Sequence, residues 1–147
     1  MAGLTQCLQE DHQHCDAVFE KAEAAVQAGD WTACNDIWPA FKAQLLRHFD
    51  AEEQSLFPAF EAATGMTAGP TFVMREEHQI MRTLVEELDD ALVEQDEDMF
   101  LGNAETLLMY MQQHNLKEEK MLYPSCDRLI TDAKDKVAAR LAEMLGQ

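Results

Sequence analysis

The sequence predicts an all-α protein, an up-down-up-down four-helix bundle closed by a short fifth helix. Three observations carry this. Apolar residues recur at three- and four-residue spacing through four long segments, turn-forming residues separate those segments, and no stretch alternates like a strand. One domain spanning residues 1–147 is expected, since a chain of this length with 47% hydrophobic residues can fill one core. In the first segment Leu4, Leu8, His12, Cys15, Phe19 and Val26 share one stripe, which stops at Gly29-Asp30. A second helix is expected from about Trp31 to Ala63, with Asp30 as N-cap and Phe41, Leu45, His48, Glu52 and Leu56 inward. Pro39 marks an irregular first turn or a kink, and Trp31 and Trp38 pack that end. After the break from Gly65 to Gly69, Pro70 opens a third helix with Met74, His78, Met81, Val85, Leu88 and Leu92 inward. That helix fades at Glu94-Gln95-Asp96. The fourth runs to about Tyr123 with Leu107, Met111, His114, Glu118 and Met121 inward, and an amphipathic segment from roughly Asp132 to Leu145 closes the chain.

The bulk composition excludes some functions. A formal charge of −17 argues against nucleic acid or an anionic membrane surface as partner, because both are polyanions. No apolar run reaches the roughly 20 residues of a membrane span, and the start lacks the pattern of a signal peptide, so a cytoplasmic protein is expected. Cys7, Cys15, Cys34 and Cys126 form no C-x-x-C pair and read as reduced thiols filling a helical core. The methionines at helical spacing read as core filler, and the acidic runs around Glu86 and Glu94 as solvated faces and a turn.

The chemistry lies in an internal repeat. His48-Phe-Asp-Ala-Glu52-Glu53-Gln-Ser-Leu56-Phe57-Pro58 recurs 66 residues later as His114-Asn-Leu-Lys-Glu118-Glu119-Lys-Met-Leu122-Tyr123-Pro124. The same offset carries Glu10-Asp11-His12-Gln13 onto Glu76-Glu77-His78-Gln79. Each imidazole four residues from a carboxylate shares one helix face with it. His12 and His48 lie 18 residues on either side of Asp30, and His78 and His114 lie 18 on either side of Asp96, both predicted turns. Equal distance from a turn means equal height in an antiparallel hairpin. His48 and His78 are likewise 15 residues from Ala63, so all four imidazoles converge on one layer, with Glu52 and Glu118 one turn away.

Six polar groups in one core layer each need a partner, and a pair of cations satisfies them together. Nitrogen and oxygen donors without sulfur suit iron, with manganese as the alternative, rather than structural zinc. The simplest arrangement gives two histidines to each ion, with Glu52 and Glu118 bridging. Glu53 and Glu119 point about 100° away and read as surface carboxylates or as partners of the ligands. His14, about 200° round from His12, reads as a surface or supporting residue.

At these residues the chain resembles the hemerythrin-like, or HHE cation-binding, family, whose signature is an H-x-x-x-E-E-x-x-L-F-P segment; ferritin-like bundles would show Glu-x-x-His. The resemblance covers nearly the whole chain. It implies an oxo- or hydroxo-bridged non-haem centre of two iron ions, with His12, His48, Glu52, His78, His114 and Glu118 at the matching ligand positions. The family's oxygen carriers have a fifth histidine where this chain has Arg82, and an aspartate one residue beyond Glu118. The four-histidine, two-glutamate set is more similar to the di-iron domain of bacterial proteins that repair iron centres after nitric oxide or oxidative stress. Those proteins carry an added N-terminal cysteine-containing domain, which this sequence does not include.

The expected function is therefore reaction with a small diatomic ligand or peroxide, namely O2, NO or H2O2, at coordination left open by the missing histidine, with an unidentified electron donor or protein partner. The alternatives are reversible O2 or iron binding without catalysis, and a structural metal bundle. Cys15, Met81 and Tyr110 are candidates for the pocket wall, and the repeat-equivalent Asp16 and Arg82 for an ion pair over the site or for solvent-facing positions.

Overall fold

The predicted turns are each held by a specific backbone device. In a computed structural model, which describes residues 3–146, the first helix α1 (Gln6–Gln27) ends at Gly29, whose φ of 73° only glycine adopts without cost. Asp30 then caps α2 (Trp31–Ala51), its Oδ1 accepting the Ala33 N–H at 3.0 Å. In the second hairpin Gln95 takes glycine's place at φ 53°, and Asp96 caps α5 (Glu97–Lys117) through the Met99 N–H, again at 3.0 Å. The internal repeat thus extends to its turns. Between the hairpins, α3 (Phe57–Thr64) ends on left-handed Gly65, and Pro70 stands at the first turn of α4 (Pro70–Glu94).

The rod begun by α2 does not stop at Ala51. Glu52–Leu56 forms a π turn, in which the Phe57 N–H reaches back five residues to the Glu52 carbonyl. Glu118–Leu122 does the same between α5 and α6 (Tyr123–Leu129), with Tyr123 bonding to Glu118. Pro58 has no N–H to continue the pattern, and the freed Glu53 carbonyl accepts instead from Arg75 Nη1 at 3.3 Å. The extra residue in each π turn rotates the helix beyond it. Leu122, Tyr123 and Cys126 therefore point inward, and Met121, expected inside by α-helical spacing, is 70% exposed. The fourth rod also continues past Tyr123 to Leu129.

α1 packs on α2 and α5, and α4 packs on α5 and α2, so α1 and α4 lie diagonally across the bundle. Two hydrophobic clusters fill it. Towards the hairpin turns lie Phe19, Trp38, Phe41, Leu88, Phe100 and Leu107; at the other end lie Leu8, Leu56, Phe57, Phe60 and Tyr123. The closing helix α7 (Lys134–Met144) lays Val137 and Leu141 on the second cluster. Each such fully buried side chain contributes about 2 kcal/mol. Trp38 is buried at its helix end as expected, its indole donating to Asp89 at 2.7 Å, and Pro39 sits inside α2 without ending it. The cysteines are all free; Cys7 is half-buried and the other three are buried. No helix among the described residues is long and apolar enough to cross a membrane.

Candidate metal centre

Between the two clusters lies a polar layer. α1 supplies His12, α2 His48, α4 His78 and α5 His114, while the two π turns supply Glu52 and Glu118; all six side chains are buried, both glutamates completely. They fall into two overlapping groups, His12 with His48 and His78 with His114, each completed by Glu52 and Glu118 with donor atoms within 4.8 Å of one another. Equal heights read from the sequence thus become one shared layer in the structure.

The orientation of the imidazoles comes from carboxylates on neighbouring helices. The Nδ1–H of His48 donates to Asp11 Oδ2 at 2.7 Å, that of His78 to Glu53 Oε2 at 2.6 Å, that of His114 to Glu77 Oε1 at 2.8 Å, and that of His12 to Glu119 Oε2 at 3.1 Å. An ionised carboxylate only accepts, so each Nδ1 carries the proton and each Nε2 is left with a lone pair aimed into the layer. These four partners are themselves repeat pairs, Asp11 with Glu77 and Glu53 with Glu119. Sequence reasoning does not single out Asp11 and Glu77, although each stands directly before a predicted ligand in the duplicated segment. Glu53 and Glu119 turn out to be partners of the His78 and His12 imidazoles rather than free surface groups.

With the imidazoles neutral, lone pairs face lone pairs inside the layer. His78 Nε2 and His114 Nε2 stand 3.1 Å apart, and His12 Nε2 lies 3.1 Å and His114 Nε2 3.3 Å from Glu118 Oε1. Glu52 Oε1 is 3.1 Å from His78 Nε2, yet neither it nor Glu118 Oε2 has a hydrogen-bond partner. Orphaned buried carboxylate oxygens are costly, and lone pairs that converge at these distances repel. Cations remove both penalties, so the residues present fit metal ions, and the nitrogen and oxygen donors favour a first-row metal.

Without a cation, protons are the remaining source of positive charge. Burial alone would lower the His48 and His114 imidazoles, but the carboxylates outweigh it, Glu52 and Asp11 for His48 and Glu118 and Glu77 for His114, and raise each to about 10. Burial likewise opposes ionisation of Glu52, but the charge on His48 holds its carboxyl well below the usual range. Glu77, accepting from His114 and from Lys117, is held at about 2.

The remaining expectations divide. Cys15 and Met81 are buried in the core cluster; burial and the Asp11 carboxylate push the Cys15 thiol up, and its Sγ sits 3.9 Å from Asp11 Oδ2. Tyr110 packs half-buried on that cluster. The tyrosine at the polar layer is Tyr123, which helical spacing does not place there: its hydroxyl donates to Glu52 Oε2 at 2.6 Å. The Asp16–Arg82 pair does not form, because the two residues stand on diagonal helices. Arg82 instead holds Glu53 Oε2 at 2.7 Å and Asp50 Oδ1 at 3.2 Å, with its guanidinium 5.3 Å over the Phe49 ring. His14 is exposed on α1.

Comparison with known proteins agrees with this layer. The family model described as the hemerythrin HHE cation binding domain matches residues 4–126. No curated protein and no solved structure matches the chain.

Proposed function

The chain belongs to the hemerythrin HHE cation-binding domain family, and from that membership we propose that His12, His48, Glu52, His78, His114 and Glu118 hold two iron ions that react with a small oxidant, O2, NO or peroxide. The observation that carries this reading is the convergence of four Nε2 lone pairs on two buried glutamates that each keep an unpartnered oxygen. Manganese is the alternative ion. Bound iron would supply one-electron redox chemistry and Lewis acidity toward a diatomic or peroxide.

The chain's own residues do the rest. Asp11, Glu53, Glu77 and Glu119 fix the tautomer and direction of the imidazoles. Phe49 stacks on His78 at a centroid distance of 4.1 Å and Phe57 at 5.7 Å, keeping water from its faces. Arg82 turns its guanidinium to Glu53 and Asp50, so no fifth donor from that turn of α4 competes for the position an external ligand would take. The four-histidine, two-glutamate set is the support for placing this chemistry alongside iron-centre repair under oxidative or nitrosative stress.

Metal analysis with optical spectra of anaerobically reduced protein, before and after O2 and separately NO, tests the proposal. Two irons per chain that oxidise irreversibly or turn over NO are expected. A reversible oxygenated band would replace reaction with carriage or sensing, and iron indifferent to both gases would leave a structural bundle.

A further inference from the structure

One hydroxyl makes more approaches in the layer than a hydrogen bond explains. Tyr123 is fully buried, and its Oη lies 2.6 Å from Glu52 Oε2, 3.1 Å from Glu118 Oε1, 3.3 Å from His12 Nε2 and 3.5 Å from His48 Nε2. Those four residues are the members of the first candidate group. A phenol has one proton to donate, and the bond to Glu52 uses it; the other three approaches, to Glu118 Oε1 and the two Nε2 atoms, receive no proton from it. Neighbouring donors on one ion, with bonds of about 2.1 Å, stand about 3 Å apart along the edges of the coordination polyhedron. The hydroxyl stands at that kind of distance from every member of the group.

We propose that Tyr123 is a fifth protein ligand, through its phenolate oxygen, of the ion held by His12 and His48. This rests on the reading of the layer as an iron site. On coordination the O–H bond breaks heterolytically: its electron pair becomes the oxygen's bond to the metal, and its proton passes first to Glu52, the acceptor at 2.6 Å, and then to bulk water. The π turn makes the approach possible, since it brings the fifth residue after Glu118 back towards the layer. In the other half the same place is taken by Phe57, which offers no donor and stacks on His78 instead. The two ions are thereby unequal. The first is closed by five protein donors, and the second, on His78 and His114, keeps the position for an external ligand.

The test is resonance Raman and optical spectroscopy of protein loaded anaerobically with ferrous iron and then oxidised, with metal content measured in parallel. Wild type and Tyr110→Phe, which keeps Tyr123, are expected to show a ferric-tyrosinate charge-transfer band with its enhanced ring modes; the chain has two tyrosines, so this pair assigns the signal. Tyr123→Phe should lose the band entirely while keeping its iron, because phenylalanine already serves at position 57. Phe57→Tyr should add intensity, and decides the matter if Tyr123→Phe fails to fold. Iron-loaded wild type without tyrosinate modes would overturn the ligand role and leave the iron site standing; absence of bound iron would overturn both.

Discussion

His78 and His12 occupy the same place in the two halves of the repeat, but their surroundings differ. Glu53 grips His78 at 2.6 Å, the same carboxylate oxygen is held by Arg82 at 2.7 Å, and two phenylalanine rings stack on the imidazole. His12 has Glu119 at 3.1 Å, with that side chain 39% exposed and no cationic hydrogen-bond partner for it among the described residues. Asp16 stands where its counterpart has Arg82, and Tyr123 faces His12 and His48 where Phe57 faces His78. Duplication has kept the donor atoms of the polar layer and let their supports diverge. Stiffness and local charge around equal donors are set where the repeat is broken.

The largest expected effect comes from removing what the halves share. Glu118→Ala takes a carboxylate from both groups, so metal content measured on the purified variant should fall close to zero. Stability should fall too: an ion present at a hundred times its Kd stabilises by about 2.7 kcal/mol, and the variant loses this for each ion. Retention of an ion in either half would break the pairing. Next, His48→Ala and His114→Ala should each lose most of one metal equivalent; full occupancy by two ions in either variant would refute the ligand assignment.

The third prediction separates the halves. Losing an outer carboxylate partner typically costs about 10- to 100-fold in metal affinity, and Glu53→Gln should fall at the upper end of that range and Glu119→Gln at the lower. Chelator competition reads the difference, and equal losses would show that the tighter grip on His78 has no consequence for binding. The smallest effect lies at the turns. Gly29→Ala should cost, and Gln95→Gly gain, about 1 kcal/mol in denaturant unfolding, since both positions are left-handed and only the first has glycine.

The layer is legible in the sequence because helical rise is constant: histidines equidistant from Asp30, Ala63 and Asp96 must meet at one height, and they do. The cap at Asp30 emerges from side-chain chemistry in the same way, and the structure shows its repeat equivalent Asp96 capping α5 likewise. The π turns are not legible, because α-helical periodicity assumes 3.6 residues per turn and gives no sign of where the pattern widens. Two errors of placement come from that alone. Helical spacing puts Met121 inside, and it leaves Tyr123, roughly 140° from Glu118 on an α-helix, away from the site. The Asp16–Arg82 pair fails for another reason: equivalence in a repeat does not mean adjacency, and here the equivalent helices α1 and α4 are diagonal.

The most direct test of the central claim, two ions held in one layer by unequal halves, is a Mössbauer spectrum of protein loaded with isotopically enriched iron. Two irons per chain giving two quadrupole doublets of equal area and different splitting are expected. One iron per chain, or a single doublet from both, would contradict it.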